Sequence, residues 1–330
     1  MTLQWAWNSP ERAEDAHIWF CIYIVIGISG ILTNILVLIV FFHVKTNTND
    51  RNSITTSLII HQSVIDLTSS ALFMFFYAIP EGWLIITGGT IFCKIRCTFW
   101  ILAGASTVNI VFIALERYFA IVHPIKYHVR FKGKQTVYLV LPLAYIYGIV
   151  NLGHIGFIAD INEHYYCDYY WNGDVIQMVC GIQVFLTLMV IPTIIIIFTY
   201  GSRPIIHTFY RRKERFPRCY NNHRYAVQKN IIVTFVIVSI AYFICWFPDL
   251  TVYLIHNVTG GEKPSMTNGN LHRFTVLLCA SNMLINPFIY AAKCRQFREG
   301  FVRIYKKHMG KSRPRSANGS IESGIISTKM

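Results

Sequence analysis

The chain has 330 residues, 54% of them hydrophobic and only 14% charged, with a mean hydropathy of +0.42, which excludes an ordinary string of soluble domains. A formal charge of +14 would suit a nucleic-acid binder, but the basic residues lie between and after long apolar runs, so no nucleic-acid partner is expected. The nine cysteines are scattered, with no pair separated by two residues as in a common zinc or redox motif, and most read as small apolar fillers.

A bilayer core about 30 Å thick needs roughly 20 apolar residues per helical crossing. Runs of that length place seven spans at Ile18–Val44, Ser53–Ile79, Ile91–Val122, Val137–Ile158, Val175–Phe209, Tyr225–His256 and Phe274–Lys293. In lipid the backbone must satisfy its own hydrogen bonds, and the alternating pattern of a membrane β-barrel is absent. The expected fold is therefore an all-α membrane protein, a seven-transmembrane helix bundle. The first run is too long for a removable signal peptide and has no small-residue cleavage site nearby, so it reads as a signal anchor.

Lys and Arg set the orientation. Lys45 and Arg51 follow span one, Lys126, Arg130, Lys132 and Lys134 follow span three, and Arg211, Arg212, Lys213, Arg215, Arg218 and Arg224 follow span five. These loops are expected in the cytoplasm, which puts the N-terminus outside the cell in a multi-pass plasma-membrane protein. Past span seven, Phe297, Phe301, Ile304 and Tyr305 recur at helical spacing among Arg298, Arg303, Lys306 and Lys307. That pattern predicts a short amphipathic eighth helix lying on membrane lipid. The expected organisation is an extracellular tail at 1–17, the bundle at 18–293, the eighth helix at 294–309 and a disordered cytoplasmic tail at 310–330.

Polar side chains inside membrane helices are costly and mark function or interhelical hydrogen bonding. They are Asn34 in span one, Asp66 in span two, Ser106 and Asn109 in span three, and Ser281, Asn282 and Asn286 in span seven. Glu116-Arg117-Tyr118 stands at the end of span three, followed by Pro124. Pro192 and Tyr200 lie in span five, Cys245-Trp246-Phe247-Pro248 in span six, and Asn286-Pro287-Phe288-Ile289-Tyr290 in span seven. In this order, each on its own span, these motifs resemble the rhodopsin-like family of G-protein-coupled receptors over nearly the whole chain.

The resemblance implies a receptor that promotes nucleotide exchange on a heterotrimeric G protein and does no covalent chemistry. No enzyme motif competes. Pro248 and Pro287 would act as hinges, and Trp246 would sense ligand. Arg117, held at rest by Glu116, would be released to pack with Tyr200 and Tyr290. Asp66, Ser106, Asn282 and Asn286 match the family's oxygen-lined sodium site, with an Asp66 carboxyl bonded to Asn34 and Asn286 as the alternative. No other cofactor is implied. Cys93 and Cys167 match the family's disulfide, with Cys97 a competitor because Cys93 is one residue closer to Arg117 than usual. Asn257-Val258-Thr259 is a glycosylation sequon. Arrestin and receptor kinases are implied partners of the tail, through Ser312, Ser316, Ser320, Ser323, Ser327 and Thr328. Three departures stand out: span four lacks the family's Trp, and Thr107 and Tyr242 replace its apolar switch residues.

Span seven has no Lys for a retinal Schiff base, and Phe99 and Trp100 stand where aminergic receptors place an Asp. Asp249 lies one turn beyond Trp246, where a carboxylate calls for a cation, with Arg96 or His272 as alternative partners within the chain. The second outer loop adds Asp160, Glu163, Asp168 and Asp174 among tyrosines and Trp171. Acidic and aromatic groups favour a basic ligand. The expected ligand is a small basic peptide, with Phe99, Trp100, Trp246, Asp249, Tyr253 and His272 around it. A membrane transporter and a constitutively active or heteromerising receptor-like protein are the alternative readings of the same bundle.

Overall fold

The computed structural model describes residues 10–47, 54–78, 89–130, 134–162, 167–202, 221–260 and 270–311. Seven helices within them are long and apolar enough to cross a membrane: His17–Val44, Ile54–Tyr77, Gly89–Val122, Val137–Ile158, Asp174–Gly201, Ile232–Val258 and Leu271–Lys293. Span one packs on spans two and seven, span six on five and seven, and span three on two, four and five. The helices thus form a closed ring with span three running through its interior. The apolar side chains Leu32, Ile39, Leu139, Val150, Ile197 and Phe198 face outward, as lipid requires of a bundle whose polar groups turn inward.

Small residues decide where helices touch. The Gly148 Cα lies 3.2 Å from where a Cβ on Gly104 would stand, and a Cβ on Gly148 would fall 2.1 Å from the Ile101 carbonyl oxygen. Spans three and four meet there backbone to backbone. In span four, which lacks the family's Trp, the Tyr145 ring stands edge-on to His61 with centroids 5.4 Å apart.

Two spans leave regular geometry. Span two ends in a π turn, Met74–Ala78, and span five contains another, Leu186–Val190. Such turns displace carbonyls from the i→i−4 ladder and occur often at functional positions. Pro142, Pro248 and Pro287 lie inside their helices, each removing one backbone donor.

The loop after span four is not purely irregular. Ala159–Ile161 pairs antiparallel with Cys167–Tyr169, with Asp160 opposite Asp168. Cys167 on the second strand is joined to Cys93 in span three, their Cα atoms 5.4 Å apart. Cys97 is free, which settles the choice between the two candidates. The Asp160 carboxylate accepts from Thr90 Oγ1 at 2.7 Å and from the Ile161 amide at 2.8 Å. Those bonds hold its carboxyl below the usual carboxylate range.

The eighth helix runs Arg295–Lys311, two residues beyond the expected end. Phe297 is its buried anchor against Phe41, ring centroids 5.9 Å apart, while Phe301 and Tyr305 are exposed. Gly300 lets it close on span one, since a Cβ there would meet Val44 at 2.5 Å. The expected run of span five to Phe209, the basic segment after it, Glu163, and the tail with its serines fall wholly or partly outside the described residues.

Candidate functional site

The polar groups of the bundle interior fall into three layers. At the disulfide end a small cavity is lined by Trp100, Tyr169, Trp246, Asp249, Tyr253 and His272, closed by apolar side chains of spans four and five. Its volume of about 30 Å³ holds on the order of one or two waters. Asp249 is 6% exposed, and its Oδ1 accepts from Thr275 Oγ1 at 2.9 Å. Tyr253 faces His154 across 3.4 Å. Phe99 is not a wall of this cavity: it turns toward span two, 5.5 Å from Tyr77 and 5.8 Å from Phe73 between ring centroids.

Arg96, expected from the sequence only as an alternative partner of Asp249, packs beside this layer. Its guanidinium is buried and stands 5.3 Å from the centre of the Tyr77 ring. It also bonds to Tyr169, whose phenol burial pushes up and Arg96 pulls back down. Through Tyr169, which lines the cavity, a buried cation thus stands beside the layer that holds the Asp249 carboxylate.

Asn257 of the sequon lies inside the bundle. The residue is 1% exposed, its amide nitrogen donates to the Tyr253 carbonyl at 2.8 Å, and a Cβ on Gly181 of span five would lie 2.5 Å from its Cβ. The sequon's acceptor nitrogen is thus buried where span six meets span five.

The middle layer centres on Asp66. Asn286 Nδ2 donates to Asp66 Oδ2 at 2.9 Å, Gln62 Nε2 to Oδ1 at 2.9 Å, and Ser106 Oγ to Oδ1 at 3.3 Å. Asn34 is not a partner: its amide donates to the Gly30 and Met283 carbonyls at 2.9 and 3.0 Å. The Oδ1 atoms of Asn282 and Asn286 are buried without a hydrogen bond among the described residues. Above this layer the Tyr242 hydroxyl donates to the Leu188 carbonyl in the span-five π turn, and the Tyr242 ring lies 5.9 Å from that of Trp246.

The third layer closes the opposite end. Arg117 bonds through Nε and Nη2 to the Glu116 carboxylate, and through Nη2 also to the Thr55 hydroxyl. Thr55 contacts both Glu116 oxygens at 3.1 Å, and Tyr127 in the short helix Pro124–Arg130 donates to Glu116 as well. Burial and the Glu116 carboxylate push the Tyr127 phenol up, which keeps it a proton donor. Tyr118 points away, toward Phe198. The hydroxyls of Tyr200 and Tyr290 are buried with no hydrogen-bond partner among the described residues.

Thr55, Gln62 and Tyr127 were missed by the sequence reading. Gln62 carried a signal, being a polar residue four positions before Asp66 in an apolar run and hence on the same helix face. Thr55 and Tyr127 carried none, because only tertiary packing brings them to Glu116.

A seven-helix membrane bundle with a disulfide-capped cavity at one end and a clamped Glu-Arg pair at the other defines a class of transmembrane receptors. The 7 transmembrane receptor (rhodopsin family) model matches residues 33–290, and the chain belongs to that family. It is 22% identical to the QRFP-like peptide receptor of Branchiostoma floridae over 92% of this chain and 82% of that protein. It is 23% identical to Bombesin receptor subtype-3 of Ovis aries over 98% and 85%. Against the Histamine H2 receptor of Rattus norvegicus it is 26% identical over 77% and 70%.

Proposed function

We propose that the chain is a plasma-membrane receptor, N-terminus outside, that binds a cationic extracellular ligand and promotes nucleotide exchange on a heterotrimeric G protein. The ligand that fits best is a small basic peptide. The observation that carries this reading is Asp249, the one formally charged side chain among the described residues lining the cavity. The acidic, aromatic loop beside it supports the same sign of ligand. Relatives named for peptides cover more of this chain than the histamine receptor does.

A cavity of about 30 Å³ is far below the ~300–1,000 Å³ of ordinary ligand sites, so binding must widen it. The ligand favours the wider state only by its differential affinity for it. Widening displaces Trp246 and the Tyr242 ring beside it, and loosens the Leu188 bond. Span six then swings on Pro248. At the far end Arg117 leaves Glu116, and the unpaired Tyr200 and Tyr290 hydroxyls accept it. The tail serines and the exposed face of the eighth helix suit receptor kinases, arrestin and membrane lipid as further partners.

The test is a screen of basic-peptide and monoamine libraries on cells expressing the chain, read through several G-protein pathways. A basic peptide is expected to activate, and Asp249→Asn to weaken it at least about 30-fold, the scale of a buried charge pair. Unchanged potency removes Asp249 as the anchor; activation by monoamines alone removes the peptide.

A further inference from the structure

Gln62 Nε2 stands between Asp66 Oδ1 and Ser106 Oγ, two of the oxygens expected from the sequence to hold a sodium ion. We infer that the amide of Gln62 is a built-in replacement for the cation, and that this receptor's resting state does not depend on sodium.

Gln62 is fully buried. Its Nε2 lies 2.9 Å from Asp66 Oδ1 and 2.5 Å from Ser106 Oγ, between the two oxygens that would coordinate an ion. The orientation of the amide follows from its neighbours. Asn109 Nδ2 lies 3.1 Å from the Leu58 carbonyl, and a carbonyl can only accept. Asn109 must therefore present its NH2 there and, at 2.8 Å, to Gln62 Oε1. That fixes Gln62 Oε1 as acceptor and leaves its NH2 to Asp66 and Ser106. The other end is consistent: Asn109 Oδ1 accepts from His61 Nδ1 at 3.0 Å.

The polarity of the relay thus runs from His61 through Asn109 and Gln62 to Asp66, anchored by one backbone carbonyl. One amide hydrogen from Gln62 and one from Asn286 at the carboxylate supply partial positive charge and repel a cation. Asp66 then has three donors, from Gln62, Ser106 and Asn286, in place of an ion. Flipping the Gln62 amide to admit sodium would bring Asn109 Nδ2 against another NH2.

The test is thermal unfolding of the purified full chain in nanodiscs, in sodium, potassium or choline chloride at equal ionic strength. It requires neither ligand nor G protein, so its outcome is separate from that of the receptor reading. The wild type is expected to unfold within about 1 °C in all three salts, because an ion that does not bind the native state gives no linkage stabilisation. Gln62→Leu and Gln62→Ala open the oxygen site and are expected to gain a sodium-specific rise of a few degrees, lost again when Asp66→Asn is added. A sodium-specific rise in the wild type that Asp66→Asn abolishes overturns the inference. So does a sodium response missing from both Gln62 variants, since something other than Gln62 would then exclude the ion.

Discussion

The Tyr242 hydroxyl in span six donates to the Leu188 carbonyl in span five, within the π turn Leu186–Val190. An apolar residue at position 242 would have no such bond. The polar replacements at Thr107 and Tyr242 therefore substitute a hydrogen bond for apolar packing at the same crossing. A buried hydrogen bond contributes about 1 kcal/mol, roughly a five-fold shift in a two-state equilibrium. Tyr242→Phe is expected to raise ligand-independent G-protein turnover by that factor in membranes from expressing cells; unaltered turnover would mean the bond does not hold span six.

Glu116 accepts from Arg117, Thr55 and Tyr127 together. Bonds to a charged group contribute about 1.5–3 kcal/mol each, so Tyr127→Phe should loosen the clamp and raise basal turnover about ten-fold or more. Tyr118→Phe, on a side chain facing Phe198, should leave it unchanged. Equal effects from the two variants would show that the clamp is not the relevant contact.

Gly148→Ala drives a methyl group into the Ile101 carbonyl, where no side-chain rotation relieves the clash. Overpacking of this kind costs about 1–3 kcal/mol, and the backbone contact puts it at the upper end. The expected result is a fall of several degrees in the unfolding midpoint of purified receptor and reduced surface expression. Gly201→Ala, with open space at its Cβ, is the matched control.

Acid should act late on the disulfide-end loop. The Thr90 hydroxyl and the Ile161 amide hold the Asp160 carboxyl below its ordinary 3.8. A carboxyl depressed on folding contributes stability that is fully present above its unfolded value and lost as pH falls through the folded one. No change in this hairpin is therefore expected between about pH 5 and 8. Thr90→Val should move the Asp160 titration back up, observed by carbon NMR on Asp-labelled receptor. An unshifted titration would assign the depression elsewhere.

The bundle was legible because each crossing announces itself by an apolar run, and the order of Asp66, Arg117, Trp246 and Asn286 along those runs identified the family. Cys93 could be paired with Cys167 for the same reason, although spacing alone left Cys97 open. Partners within a layer were less legible. Asn34 and Gln62 are both polar residues in apolar spans, yet only packing shows that Gln62 reaches Asp66 while Asn34 turns to the Met283 carbonyl. Phe99 and Trp100 differ by one position, a rotation of about 100° on a helix, which sends one ring to span two and the other to the cavity. The strand pair at Ala159–Tyr169 carried no periodic signal, being three residues on each side.

Arg117, held by Glu116, is the residue through which this bundle is expected to act on a G protein. Nucleotide exchange on a panel of purified heterotrimeric G proteins, driven by the receptor in nanodiscs without ligand, tests it most directly. Low exchange is expected for the wild type, higher exchange for Glu116→Gln, and exchange at the receptor-free background for Arg117→Ala on the same G protein. Exchange by Arg117→Ala equal to that of Glu116→Gln, or background exchange from all three chains on every G protein, would contradict it.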